Sequence, residues 1–232
     1  MPACVAGGVD GAVEPPDARV VTGLPEGVTH WDGPGLDAWR AWEPHEAAAH
    51  LAGVEVPWCV VGGWAVDLFV GARTREHEDL EIAIPRPCFP TVRRALAGFV
   101  LHAVGDGEVR RLADDEEPPP ERHQTWVLDP RAQEWRMDVM LEPGDAAVWE
   151  CRRPGRIRAS RTWMVGRSAD GIPYLQPQGV LLYKAKAPRP KDEADLRTCL
   201  PRLDEEQRRW LGDALDLAHP GHPWTARVRA GG

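Results

Sequence analysis

The chain lacks most of what marks a secreted, membrane-bound or nucleic-acid-binding protein. Its five cysteines (Cys4, Cys59, Cys88, Cys151, Cys199) are scattered, odd in number and form no CxxC pair, which argues against a disulfide framework or a zinc knuckle. No apolar run approaches the roughly 20 residues that span a bilayer. The N-terminus carries no signal-peptide pattern, so the expected compartment is the cytoplasm, with no membrane partner. Basic residues are in the minority: 28 Lys and Arg against 36 Asp and Glu give a formal charge of −8. Nucleic-acid binding normally leaves a basic footprint, and no nucleic-acid partner is expected. An acidic surface suits a small cationic partner instead. The 232 residues allow one large domain or two small ones with a real core. Nothing in them sets an oligomeric state.

What is present is concentrated between Trp58 and Ile84, in WCVVGGWAVDLFVGARTREHEDLEIAI. Cys59-Val60-Val61 is too short for a helix and β-branched enough for a buried strand. Gly62 and Gly63 follow, and the absence of Cβ atoms there lets a ligand approach the main chain. Trp64 to Val70 makes two helical turns, with Gly71 at the C′ position. A glycine pair feeding a helix N-terminus offers free N–H groups and the positive end of the helix dipole to phosphate oxygens. In the next strand, alternation turns Leu80, Ile82 and Ile84 to the core and Asp79, Glu81 and Ala83 to the other face. Two carboxylates that close repel each other, and Mg²⁺ relieves that repulsion while keeping substrate phosphates and waters among its ligands. The pattern points to a site for a metal-bound nucleoside triphosphate.

Two small residues followed by Asp-apolar-Asp/Glu resemble the DNA polymerase β-like nucleotidyltransferases. GGWAVDLFVGARTREHEDLE is most similar to the small-molecule branch that includes aminoglycoside adenylyltransferases and lincosamide nucleotidyltransferases. The likeness is specific in this segment and extends more weakly over residues 36–228. Two positions depart from the common pattern: Gly63 stands where Ser is frequent, and Glu81 where many relatives have Asp. The resemblance implies transfer of a nucleoside monophosphate, AMP from ATP, to a hydroxyl of a small molecule, with release of pyrophosphate and with two Mg²⁺ ions. Drug inactivation, natural-product tailoring and housekeeping chemistry would all use the same core. A catalytically idle nucleotide-binding or protein-interaction module is the alternative, though it has no need of several converging acids.

The resemblance also implies a third carboxylate on a neighbouring strand. Asp138 is the best candidate, in a strand-like run from Glu134 to Leu141 with Trp135, Met137, Val139 and Leu141 on one face and Arg136, Asp138 and Met140 on the other. A lone acid on an apolar strand destabilises the fold unless it is paired or holds metal. Asp129, the competitor, reads as a strand exit beside Pro130. The third acid either completes the metal site or deprotonates the acceptor hydroxyl. Lys184 and Lys186, in LLYKAKAPRPKDEADL, are the candidate triphosphate contacts. Two apart on one helix, they point about 200° apart and cannot both face one phosphate; Lys184, which leans over Val180 and Leu181, is expected to hold the triphosphate more than Lys186. The acids of Lys191-Asp192-Glu193 and Asp195 equally fit a first turn complementing the helix dipole.

Several conspicuous residues have plain structural readings. Most of the eleven tryptophans are expected in the core or at interfaces; Trp64, directly after the glycine pair, is the candidate pocket wall. Arg75 and His77 fit either a phosphate contact or a loop whose charges offset the neighbouring acids. Asp67 reads as a structural hydrogen-bonding group, and His219 and His222 as turn residues.

Along the chain, residues 1–35 read as an irregular, Gly- and Pro-rich segment, 36–175 as the catalytic core and 176–232 as a helical C-terminal part. Leu36 to Leu51 looks helical, restarted at Pro44. Phe89 to Ala97 reads as a helix, Val100 to Val104 as a strand, and Gln124 to Leu128 with Glu134 to Leu141 as a hairpin. Asp114 to Pro120 is a loop. Helices follow over Gln178–Ala187, Lys191–Leu200 and Glu205–Ala218. A mixed sheet followed by helices is an α+β plan.

Overall fold

A computed structural model of the chain describes residues 30–31, 33–153 and 157–230, so the irregular N-terminal segment lies mostly outside the described residues. In chain order the elements are β1 (His30–Trp31), α1 (Pro44–His50), β2 (Cys59–Val60), α2 (Gly62–Val70), β3 (Glu81–Pro85), α3 (Phe89–Ala95), β4 (Val100–Gly105), β5 (Glu108–Arg111), β6 (Gln124–Asp129) and β7 (Glu134–Glu142). There follow β8 (Val148–Glu150), β9 (Arg158–Ser160), α4 (Arg161–Met164), β10 (Val165–Arg167), β11 (Pro173–Leu175), α5 (Pro177–Lys184), α6 (Pro190–Cys199), α7 (Glu205–Ala218) and α8 (Pro223–Ala230). Among the described residues the strands form a nine-stranded sheet in the order β1-β5-β4-β6-β7-β3-β2-β11-β10, with β8 and β9 paired separately. The sheet is mixed and helices close the chain, which is the α+β architecture expected. No helix among the described residues is long and apolar enough to cross a membrane.

The stretch around the glycine pair folds as its residues dictate. Val61 is extended at φ −124°, Gly62 takes φ +66°, and α2 ends at Gly71 with φ +78°, a left-handed C-cap whose N–H donates to the Asp67 carbonyl. β3 is buried from Ile82 to Pro85. It pairs antiparallel with β2 and parallel with β7, in the register Glu81 opposite Asp138, Ala83 opposite Met140 and Pro85 opposite Glu142.

Three local expectations need correction. The stretch before Pro44 is not helical. The N–H groups of Arg40 and Trp42 donate to the carbonyls of Trp135 and Arg136 at 3.0 and 2.9 Å, so this segment lies along the start of β7, ahead of the point where β3 takes over. Pro44 then opens α1 at its first turn while Glu43 stays extended, as a residue before proline prefers. Trp135 does not share a face with Met137, because the β6–β7 register shifts between Val127 and Leu128. That bulge moves Trp135 into a small cluster with Leu128 and Val109, while Met137, Val139 and Leu141 join the main core. Finally, α5 stops at Lys184, leaving Ala185 and Lys186 in a turn.

Candidate active site

The parallel pairing of β3 and β7 sets Glu81 beside Asp138. Residues 138, 140 and 142 of β7 and 81, 83 and 85 of β3 share one sheet face, and that face is the floor of two adjoining cavities. One, of about 420 Å³, is lined by Gly62, Glu81, Ala83, Met140 and Glu142, with Arg152, Arg153, Lys184, Lys186 and Arg189 around it. The other, of about 700 Å³, is lined by Asp37, Trp39, Glu78, Asp79, Glu81, Gln124, Trp126 and Asp138. Glu81 belongs to both. One cavity is ringed by cations and the other by carboxylates.

Asp138 is buried, and its carboxyl is pushed up to about 7 from the ordinary 3.8, first by burial and then by the charge of Glu81. Gln124 Nε2 donates to its Oδ2 at 2.8 Å and works in the opposite direction. Oδ1 is buried without a hydrogen-bond partner. Glu81 is likewise raised by burial and by Asp79, and pulled down by Lys184, Arg152 and Arg189. Asp79 is exposed and precedes the strand. Among the described residues no three His, Cys, Asp or Glu side chains gather tightly enough to hold a metal ion. The three acids therefore reach one cavity without forming a ready three-ligand cluster. Two hard oxygen donors side by side, one with an unpartnered buried oxygen, nevertheless match the needs of Mg²⁺, which is commonly bound by one or two carboxylates and completed by phosphates and waters.

The glycines divide their work. A Cβ at Gly62 would collide with the Glu81 carboxylate, so only glycine lets that side chain lie over the start of α2. A Cβ at Gly63 would collide with Arg75 and His77; Gly63 makes room for side chains and lines neither cavity. His77 Nε2 lies 2.6 Å from Asp67 Oδ2, with both side chains buried, and Trp64 stacks on its ring at 4.3 Å. Burial pushes the imidazole below its usual range while the Asp67 bond opposes it. Asp67 also accepts from the Thr74 N–H at 3.1 Å, which is the structural role read from its position. Trp64 lines neither cavity.

The two lysines behave differently from the helical expectation. Because α5 ends at Lys184, both reach the cationic cavity. Lys184 is nearly buried, and its Nζ pairs with Asp192 at 2.8 Å and Asp195 at 2.9 Å. Arg75 reaches the same Asp195 at 3.4 Å. Asp192 also accepts from Arg189 N and Nε, both at 2.9 Å. Its burial is outweighed by these bonds from Arg189 and Lys184, which hold it well below the usual carboxylate range. Asp192 and Asp195 are thus held by ion pairs, beyond any part in the helix dipole, whereas Lys186 is exposed and lines the cavity. Sequence reading missed Arg152 and Arg153, and singled out the Arg189-Pro190-Lys191-Asp192 run only by its likeness to relatives, without choosing Arg189 within it. Arg189 stood within the quoted LLYKAKAPRPKDEADL run, while Arg152 and Arg153 sit in an Arg-Arg pair beyond β8 with no motif around them.

Two measurements follow from these charges. A carboxyl whose folded pKa lies above its unfolded value leaves the fold unpenalised below about pH 3.8 and penalised once it ionises, so without metal the protein loses stability as pH rises toward 7. Asp138→Asn is expected to unfold at higher denaturant than wild type at pH 8 without divalent metal, by about 2–4 kcal/mol, with the gap closing by pH 4. A gap independent of pH would show that Asp138 is not under this strain. Lys184→Ala removes the buried cation shared by two buried acids, leaving Asp192 to Arg189 and Asp195 to Arg75, and is expected to lose about 1–3 kcal/mol of stability, while Lys186→Ala changes it by less than about 0.5 kcal/mol. Equal losses in urea melts would contradict the pairing.

Comparisons with known proteins bear on the same segment. Residues 45–118 match the Aminoglycoside-2''-adenylyltransferase family model. No curated protein matches. Similar solved structures include a crystal structure of ANT(2'')-Ia in complex with adenylyl-2''-tobramycin, at 16% identity and TM-score 0.47 over 75% of this chain and 95% of that one. A solution structure of the antibiotic-resistance factor ANT(2'')-Ia overlaps at 17% and 0.45, over 80% and 91%. The lincosamide antibiotic adenylyltransferase LnuA with lincomycin bound overlaps at 15% and 0.47, over 66% and 92%. The chain resembles the small-molecule nucleotidyltransferases, and the stretch that carries its glycine pair and acid pair is the stretch that matches their family model.

Proposed function

We propose that this protein is a metal-dependent nucleotidyltransferase that moves a nucleoside monophosphate, AMP from ATP, onto a hydroxyl of an aminoglycoside-like or lincosamide-like small molecule and releases pyrophosphate. The observation that carries this reading is the position of Glu81, on the wall shared by a cation-ringed cavity and an acid-ringed one. The first suits a triphosphate, the second a hydroxyl-bearing acceptor with positive charge, and transfer requires the two to meet at their common wall.

In this reading the exposed Lys186 and Arg189 and the half-buried Arg152–Arg153 pair, all lining the cavity, contact phosphates directly, and the Gly62 main chain at the start of α2 adds N–H donors. Lys184 positions α6 through Asp192 and Asp195 more than it binds substrate. Glu81 and Asp138 would hold Mg²⁺, with Asp79 at the mouth adding a third carboxylate, and the resemblance implies two such ions. When bound, the cation supplies positive charge that offsets these acids and the triphosphate. Asp138, with a carboxyl near 7 before that charge arrives, takes the proton of the acceptor hydroxyl as its oxygen bonds to the α-phosphorus and the bond to pyrophosphate breaks.

Asp79→Ala is expected to abolish pyrophosphate release from Mg²⁺-ATP over an acceptor panel while the variant stays folded. Asp138→Asn is expected to slow transfer by about 10²–10⁴-fold. If it serves mainly as base, nucleotide affinity persists; if mainly as ligand, Mg²⁺-ATP binding weakens in step. A variant that keeps both removes Asp138 from the site, and activity retained by Asp79→Ala defeats the metal reading.

A further inference from the structure

Glu142 is a carboxylate that neither the acid pair nor the triphosphate contacts use. It closes the far end of the sheet face that carries Glu81 and Asp138, four residues beyond Asp138 on β7, or about 13 Å at a rise of ~3.3 Å per residue. Between them the floor is apolar, made by Ala83 and Met140, and Tyr183 stands over the same cavity. Glu142 is almost fully buried yet lines that cavity. Trp149 Nε1 donates to its Oε1 at 3.0 Å and Arg161 Nη1 to its Oε2 at 3.3 Å. Each carboxylate oxygen has room for a second donor, so Glu142 offers free acceptor positions at this end of the cavity.

A buried ion pair is seldom the most stabilising way to fill an apolar floor, since well-packed hydrophobic residues do as well or better. A carboxylate there also repels phosphate; Arg152 acts on both carboxyls, whereas Lys184 and Arg189 act on Glu81, which places the triphosphate toward Glu81. A nucleotide with its α-phosphate beside Glu81 and its sugar over Ala83 and Met140 brings the outer edge of its base to Glu142, which is about the reach of a nucleoside 5′-phosphate. Base edges differ in their donors: adenine carries an amino group where hypoxanthine carries a carbonyl oxygen.

We propose that Glu142 is the specificity-determining residue for the donor's base: it accepts a hydrogen bond from an exocyclic amino group and rejects a base that presents a carbonyl oxygen there. This rests on the nucleotidyltransferase reading and adds to it which nucleotides the cavity takes. Sites built around a buried acceptor discriminate strongly against analogues lacking the donor, because the acceptor is then left unpaired or faces another oxygen.

The test is calorimetric titration of the full chain with Mg²⁺ and the α,β-methylene analogues of ATP and ITP, which need no acceptor and cannot be turned over. The ITP analogue is expected to bind at least about tenfold more weakly, the scale of one charge-assisted hydrogen bond. In Glu142→Gln, whose side-chain amide can donate to a carbonyl, the gap should narrow to about twofold or invert. Equal affinities for the two analogues in the wild type overturn the assignment of Glu142 and leave nucleotidyl transfer standing. A gap that survives Glu142→Gln also overturns it. Failure to bind either analogue defeats both readings together. Should Glu142→Gln not fold, the wild-type comparison is repeated with the purine riboside analogue, which lacks the amino group without adding an oxygen; binding as tight as the ATP analogue counts against Glu142, and binding between the other two supports it.

Discussion

Two like charges held side by side in a buried strand pair govern this molecule. The register that sets Glu81 opposite Asp138 cannot slip by one residue without turning Ile82 and Val139 out of the core. Packing therefore fixes an electrostatic conflict in place. The conflict appears as an Asp138 carboxyl near 7 and a raised Glu81. A chain selected for stability alone would have placed apolar side chains there. In the proposed reading, a divalent cation arriving with the nucleotide's phosphates offsets these two acids.

The C-terminal helices ease part of that conflict at a distance. Lys184 sits at the end of α5 between Asp192 and Asp195, and Arg75 reaches Asp195 from the loop that leads to Asp79. This chain of ion pairs ties α5 and α6 to the segment carrying the acids. Removing Lys184 takes a partner from two buried acids at once, which is more damaging than losing an exposed pair. Lys184 is consequently a joint of the structure, and the remaining positive charge at the cavity comes from Lys186, Arg189 and the arginines after β8.

Where the sequence was legible, a local signal coincided with a structural necessity. The β-branched run before Gly62, the glycine at the end of α2, the alternation through Ile84 and the placement of Asp138 within an apolar run each follow from chain geometry over a few residues. The failures are non-local. The β6–β7 bulge changes no composition, so alternation put Trp135 on the wrong face. Periodicity carried α5 through Ala187, although Pro188 disfavours helical geometry in the residue before it; the helix stops at Lys184 and brings Lys186 to the cavity. Residues 36–43 have helix-forming composition, but β7 begins before β3 does, and their backbone groups are drawn into the vacant place along it. Arg152 and Arg153 matter only because of what lies across the cavity from them.

The division of charge between the two cavities is the property that no short motif encodes. A triphosphate approaching the acid-ringed side meets Asp37, Glu78 and Asp79 before anything attractive, and a cationic molecule approaching the other side meets Arg152, Arg153, Lys186 and Arg189. Low-dielectric walls lengthen the reach of both fields, so in the proposed reading each substrate is sorted before it touches a specific group. Trp39 and Trp126, packed edge to face at 5.0 Å, add flat apolar surface to the acidic side and suit a ring that carries charge only at its edges. Sorting of this kind also limits error. Water occupying the acid-ringed side in place of an acceptor is not held by its charge, while a polycation is. The net charge of −8 acts in the same sense from farther out, so that in the proposed reading a cationic acceptor is favoured at two ranges, with the cavity deciding orientation and the surface deciding encounter.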